Sequence, residues 1–291
     1  MNNIDTLKIT NNILRKYNLI ANKRFGQNFL IDDNILQEIV NVSNINENEL
    51  VIEIGPGLGN LSEYILSNSK YALLVEIDNR MIDILTDRFK DRYTNYRLVN
   101  KDILKIDIDT LIFEIEKEKN IEFLSVKVIA NLPYYITTPI LFKLLQNSNR
   151  INEIIVMVQK EVAERMVAKK QTKDYGILTL MVEYLTDAKI VIDVDRTCFI
   201  PSPNVDSAVI KLKKNKKYVV ENEKILFDLI HMAFSQRRKK MVNSLVSNKF
   251  MNLDKEEIEN ILINLGINLN VRAEELELKD YISIVEHICN K

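Results

Sequence analysis

An apolar run that ends in glycines constrains this chain more than any other feature. Leu50-Val51-Ile52-Glu53-Ile54 passes straight into Gly55-Pro56-Gly57-Leu58-Gly59, and a helical pattern, Asn60 to Asn68, follows at once. A short apolar run bounded by glycines reads as a buried strand, and glycine lets the backbone turn sharply and come close to a ligand. The helix that follows turns free N–H groups toward such a ligand. Strand, glycine turn and helix in that order require an α/β sheet with a binding crevice at the carboxyl ends of its strands.

The rest of the chain agrees with that frame. Further apolar runs at 71–78, 96–102, 126–132, 153–159, 188–194 and 205–213, spaced by amphipathic stretches such as 79–92 and 139–148, predict seven strands in a mostly parallel sheet. Only about ten residues, Pro201-Ser202-Pro203-Asn204 among them, separate the last two runs, too few for a parallel crossover. The last two strands should therefore pair as an antiparallel hairpin, which makes the last strand antiparallel. Beyond Lys217 apolar positions recur at helical spacing only, as in 221–236, 256–265 and 280–289. This predicts one domain over 1–213 and a small all-helical domain over 214–291, with the lysine cluster 213–217 between them.

Composition narrows the setting. With 46% hydrophobic and 28% charged residues the chain falls in the soluble globular class, and no apolar run approaches the roughly 20 residues of a membrane span. Two cysteines, Cys198 and Cys289, and two histidines leave no disulfide framework and little material for a zinc site. A reducing cytoplasm, no metal and a monomer are expected. The net charge of −1 hides an uneven spread: residues 1–30 carry a net +4 and residues 211–249 a net +8. Such runs are either solvated faces or a footprint for a polyanion.

The glycine spacing separates ligands. The third glycine comes four residues after the first, not five as in the dinucleotide fingerprint G-x-G-x-x-G. G-x-G-x-G after an acidic residue resembles the nucleoside loop of S-adenosylmethionine-dependent methyltransferases; a nicotinamide site and a purely structural turn stay open at this point. Glu76 ends the second strand, where a carboxylate can accept both hydroxyl protons of a ribose. Asp102 ends the third, where it either takes a proton from an adenine amino group, with Ile103 packed on the ring, or caps a helix.

Asn131-Leu132-Pro133-Tyr134 stands at the carboxyl end of the fourth strand, beside the expected crevice. An exocyclic adenine amine is a poor nucleophile because its lone pair is delocalised into the ring. If the Asn131 carboxamide oxygen and the Leu132 carbonyl accept its two N–H bonds, the nitrogen can pyramidalise and free that lone pair. Pro133 stiffens the turn, and Tyr134 offers a face on which an extruded base can stack. In isolation the same tetrapeptide would also make an ordinary turn.

Five segments stand together: 23–30 (Lys23-Arg24-Phe25-Gly26-Gln27-Asn28-Phe29-Leu30), the glycine loop, 131–134, 199–209 (Phe199-Ile200-Pro201-Ser202-Pro203-Asn204-Val205-Asp206-Ser207-Ala208-Val209), and 233–240 (Ala233-Phe234-Ser235-Gln236-Arg237-Arg238-Lys239-Lys240). In this order they resemble the ribosomal RNA adenine N6,N6-dimethyltransferases over about residues 20–245. The resemblance implies the class I, Rossmann-like S-adenosylmethionine-dependent methyltransferase fold, with S-adenosylmethionine as cofactor. It also implies dimethylation of two adjacent adenosines near the 3′ end of 16S rRNA in the small ribosomal subunit or its precursor. It places Asn28 and Leu30 at an amino-terminal lid, Gly55 and Gly57 at the loop, Glu76 at the ribose, Asp102 and Ile103 at the adenine, and Asn131 where cofactor and target meet. Arg237, Arg238, Lys239 and Lys240 fall to RNA contact. Tyr135 departs from the family pattern, where many relatives carry Asn. A large-subunit rRNA dimethyltransferase that confers macrolide resistance, and a non-catalytic factor on the same fold, share parts of this pattern.

Overall fold

Two adjacent strands set the frame. In the computed structural model, which describes residues 5–19, 27–215 and 217–290, β1 (Glu49–Ile54) and β2 (Tyr71–Glu76) are buried along their whole length. Parallel strands covered on both faces require this. β3 (Tyr96–Asn100), β4 (Ser125–Asn131), β5 (Ile151–Gln159), β6 (Thr186–Val194) and β7 (Ser207–Lys214) complete one seven-stranded sheet in the order β3-β2-β1-β4-β5-β7-β6. β1 has β2 on one side and β4 on the other, both parallel to it, so the order reverses there and a crevice opens at the carboxyl ends. All seven strands agree with those read from the sequence. β7 runs antiparallel between β5 and the edge strand β6, so the last two strands lie side by side as the sequence predicts.

The helices are α1 (Thr6–Lys16), α2 (Asp33–Ser43), α3 (Asn60–Asn68), α4 (Asn79–Phe89), α5 (Ile108–Lys119), α6 (Thr137–Asn147), α7 (Lys160–Met166), α8 (Ile177–Leu185), α9 (Glu223–Phe234), α10 (Met241–Ser247), α11 (Lys255–Asn264) and α12 (Leu278–Cys289). Asp side chains start several of them: Asp32, Asp78 and Asp107 each accept main-chain N–H groups at the first turns of α2, α4 and α5. At the sheet end away from the crevice, Lys127 Nζ bonds the carbonyls of Ser43 and Asn44, each at 2.8 Å, and pairs with Glu49 at 2.9 Å. A buried cation is tolerable only with its donors satisfied in this way, and the arrangement ties the end of α2 to β1 and β4.

The chain divides into two units, Met1–Ala163 with Lys189–Lys214, and Glu164–Ala188 with Asn215–Lys291. One division falls at Lys214, and residues 164–188, which the sequence reading placed in the first domain, group with the helical unit. The reason is α8: Leu180 and Tyr184 are buried with Leu226, Ile230 and Tyr281 in the core that α9 and α12 build. A helix that is apolar on nearly every face needs neighbours all round. Tyr281 closes that core by donating its hydroxyl to the Ala273 carbonyl at 2.8 Å.

Gly59 shows how tightly the glycine turn is packed. Its φ is +82°, and a Cβ there would lie 2.7 Å from the ring of Phe89 and 2.8 Å from Leu85, both buried on α4. Gly59→Ala is expected to destabilise the protein by about 2–4 kcal/mol through overpacking and left-handed backbone strain. Urea denaturation midpoints measure this, and an unchanged midpoint would refute the packing account.

Candidate active site

The register of the central strands assembles the site. Ile54 pairs with Val75, so β1 and β2 end level, and the Gly55 N–H donates to the Val75 carbonyl at 2.9 Å. Gly55 then takes φ +66°, and where its side chain would project no atom lies within 4 Å. The open space faces a cleft whose walls include Gly55, Gly57, Glu76, Asp102, Ile103 and Asn131. The sequence expected these six at one ligand, and the structure brings them to one cleft.

Glu76 ties the cleft floor together. One carboxylate oxygen accepts the N–H groups of Ile77 and Asp78, each at 2.8 Å, and the other accepts the Gly57 N–H at 3.1 Å. Burial pushes its pKa above the ordinary carboxylate value, and the three N–H bonds work against that rise. The oxygen facing Gly57 has one protein donor and room for a hydroxyl. Asp102 caps its own turn by accepting the Leu104 N–H at 2.9 Å, so the capping reading holds locally while the residue also lines the cleft beside buried Ile103.

On the opposite wall, Asn131 ends β4. Its Nδ2 donates to the Asn28 carbonyl at 3.3 Å, which turns Oδ1 to the other side. Among the described residues neither that Oδ1 nor the Leu132 carbonyl has a hydrogen-bond partner, so two acceptors stand free on adjacent residues. Pro133 adopts φ −59° and starts the short turn Tyr134–Ile136, and the Tyr134 hydroxyl shares a 2.7 Å hydrogen bond with Ser207 on β7. Burial raises the Tyr134 pKa, so the phenol stays neutral and its ring is held by one fixed bond. Tyr135 beside it is exposed.

Asn28 and Leu30 gain a physical account that spacing could not supply. Phe29 and Leu30 pair antiparallel with Ile200 and Phe199, and the Ile31 N–H donates to the Cys198 carbonyl at 2.9 Å. The segment 199–209 thus supplies the strand that holds the amino-terminal motif at the cleft. Residues 23–26 of that motif lie outside the described residues. Sequence reasoning missed Gln27, Asn60 and Ser207, which border or brace the cleft. Their positions beside the glycine loop and inside the quoted motifs were the available signal.

Glu53, also missed, lies wholly buried beneath the loop, where it accepts the Ser62 hydroxyl at 2.5 Å. Burial, with the neighbouring Glu76 charge adding to it, raises its pKa to about 8.

In the helical unit the four basic residues part company. Arg237 spends its guanidinium on the Glu274 carboxylate and on the carbonyls of Lys173 at 2.6 Å and Thr172 at 3.0 Å. Its guanidinium is thus engaged within this unit, whereas the sequence placed it at RNA contact. Lys240 bonds the Asn270 side chain at 2.5 Å. Arg238 and Lys239 are exposed, and their side chains have no partner among the described residues.

The model of the ribosomal RNA adenine dimethylase family matches residues 18–290. The chain is 43% identical over 286 residues to the ribosomal RNA small subunit methyltransferase A of Lachnoclostridium phytofermentans, covering 98% of this chain and 97% of the relative. It is 44% identical over 283 residues to the protein of the same name from Anoxybacillus flavithermus, covering 96% and 94%. Among solved structures, a dimethyladenosine transferase from Plasmodium falciparum aligns with a TM-score of 0.76 at 25% identity, over 90% of this chain and 98% of that one.

The Glu53 carboxyl gives a pH signature. The folded protein holds a proton that the unfolded chain releases above its ordinary value of 4.5, so Glu53 costs stability as pH rises from 4.5 to about 8. Glu53→Gln removes that loss. The stability of the variant relative to the parent should therefore improve between pH 5 and pH 8, read from denaturation curves at both; a pH-independent difference would mean that Glu53 titrates normally.

Proposed function

The chain belongs to the ribosomal RNA adenine dimethylase family, and we propose that it uses S-adenosylmethionine to dimethylate N6 of two adjacent adenosines near the 3′ end of 16S rRNA. The α/β sheet is that of the class I methyltransferases. The single observation that carries the reading is the pair of free acceptors, Asn131 Oδ1 and the Leu132 carbonyl, on the same cleft as Gly55 and Glu76. Two curated relatives with small-subunit names, at 43% and 44% identity over nearly the whole chain, support 16S over large-subunit rRNA.

The residues present fit the cofactor: the space over Gly55 admits close approach, Glu76 has an oxygen free to accept from the ribose, and Asp102 with Ile103 suits an adenine edge and face. When bound, S-adenosylmethionine supplies a methyl on a positively charged sulfur, which keeps the C–S electron pair as the carbon bonds to nitrogen. Asn131 and Leu132 accept the two N–H bonds of the target amine, which turns its lone pair out of the ring plane. Tyr134 holds the base by its face. After transfer the nitrogen releases its extra proton to water, so no side chain need act as base, and alignment supplies most of the acceleration. For the second methyl one N–H remains, and one acceptor then suffices.

We assign rRNA contact to the helical unit, through Arg238 and Lys239, and the work to a monomer in the cytoplasm with Cys198 and Cys289 as free thiols.

Asn131→Ala should slow single-turnover methylation of unmodified small-subunit particles by about 10²-fold or more, because its bond strengthens as the amine pyramidalises. Affinity for S-adenosylhomocysteine by calorimetry should change little; a near-normal rate would sink the mechanism. Replacing Arg238 and Lys239 by Ala should weaken particle binding and make its salt slope shallower by up to about 0.9 per lost contact, a duplex-DNA value used as a guide. Arg237→Ala should instead lower the melting temperature by several degrees. The opposite pattern would return the phosphate contact to Arg237.

A further inference from the structure

α1 buries the wrong kind of side chain for a surface helix. Such helices hide apolar residues, but α1 buries two hydroxyls, those of Thr6 and Thr10, at 1% and 0% exposure. The Thr6 hydroxyl bonds the Asp33 carboxylate of α2, and Tyr64 donates to the same carboxylate at 2.7 Å. Thr10 accepts Nδ2 of Asn60 at 2.9 Å.

Asn60, the first residue of α3, uses its whole carboxamide. Besides Thr10, its Nδ2 donates to the Leu30 carbonyl at 2.8 Å, and its Oδ1 accepts from Arg88 Nη1 at 3.1 Å. Arg88 in turn bonds the Leu58 carbonyl of the glycine loop at 2.6 Å. Leu30 stands two residues beyond Asn28, whose carbonyl orients Asn131. In an extended segment alternate carbonyls face the same side. One edge of this segment pairs with Cys198–Ile200, and the other presents the carbonyls of Asn28 and Leu30 to two carboxamides, one of them the acceptor for the target amine.

We propose that Thr10 and Asn60 are positioning residues for methyl transfer: through the Leu30 and Asn28 carbonyls they set which end of the Asn131 carboxamide faces the target amine. This rests on the reading of Asn131 as that acceptor. A carboxamide turned by half a rotation presents N–H donors where the amine also has N–H donors. The Asn28 carbonyl selects against that rotation only while the strand edge that carries it is held, and Asn60 holds it from the side opposite the ribbon.

Thr10 is the residue to test, because it is remote from the cleft and its removal leaves Asn60 in place. Thr10→Val keeps the shape and removes the hydroxyl. Single-turnover methylation should fall by about fivefold, the rate equivalent of one neutral hydrogen bond. Affinity for S-adenosylhomocysteine and for the small-subunit particle should stay within about twofold, since neither contact changes. Thr10→Ser, which restores the hydroxyl, should restore the rate. A parental rate in a folded Thr10→Val, or a loss that Thr10→Ser does not recover, would overturn the relay. If Thr10→Val does not fold, Thr10→Ser against Thr10→Ala gives the same comparison, both having lost the methyl group. The parent protein in the same assay tests the underlying reading: absence of methylation there refutes the function, whereas normal parental turnover with an unaffected Thr10→Val refutes the relay alone.

Discussion

The bond from the Gly57 N–H to the Glu76 carboxylate is the constraint on which the site depends. It fastens the glycine loop after β1 to the end of β2, and it does so with a charge held out of water. Glu76 and Glu53 both lie buried here, and their proximity raises the cost of ionising both. The structure resolves the conflict unequally. Glu76 receives three main-chain N–H groups, while Glu53 has a single serine hydroxyl and keeps its proton near neutral pH. The carboxyl group that faces the cleft is thus the one with main-chain donors, at a place where the expected ligand carries hydroxyl groups.

What could be read from the sequence were features whose physics is local. The strand runs, the glycine turn and the Asn131 to Tyr134 segment each announce themselves within a few residues. What escaped was set by partners far along the chain. Asn28 and Leu30 matter because Phe199 and Ile200 pair beside them, and no periodicity near residue 28 encodes that. α8 joined the helical unit because its apolar surface exceeds what one neighbour covers, a fact visible only once the neighbours are known.

Charge counting left two readings open for a related reason. The net +8 over 211–249 fits either a solvated face or a polyanion footprint, and several of those cations are committed within the protein. Lys211 pairs with Glu153 at 3.1 Å, Lys214 bonds the Ser148 carbonyl, Lys217 pairs with Asp187 and Arg237 with Glu274. Formal charge measures what a segment carries; only geometry shows what it has left to offer another polyelectrolyte. Within this segment Arg238 and Lys239 are two adjacent exposed cations with no side-chain partner among the described residues.

The placement of β7 between β5 and β6 has a consequence for how the protein is made. A chain emerging from the ribosome exposes residues 186–194 before residues 207–214, so β6 leaves the exit tunnel with no neighbour to join. β5 likewise keeps a naked edge until β7 arrives, a period in which pairing with another nascent chain competes with folding. The same late stretch brings Phe199 and Ile200 to the amino-terminal segment and Ser207 to Tyr134. Translation must therefore pass Ser207 before the amino-terminal segment and Tyr134 have the partners that hold them at the cleft, and a truncated product ending earlier would carry the glycine loop and the Asn131 turn without those braces.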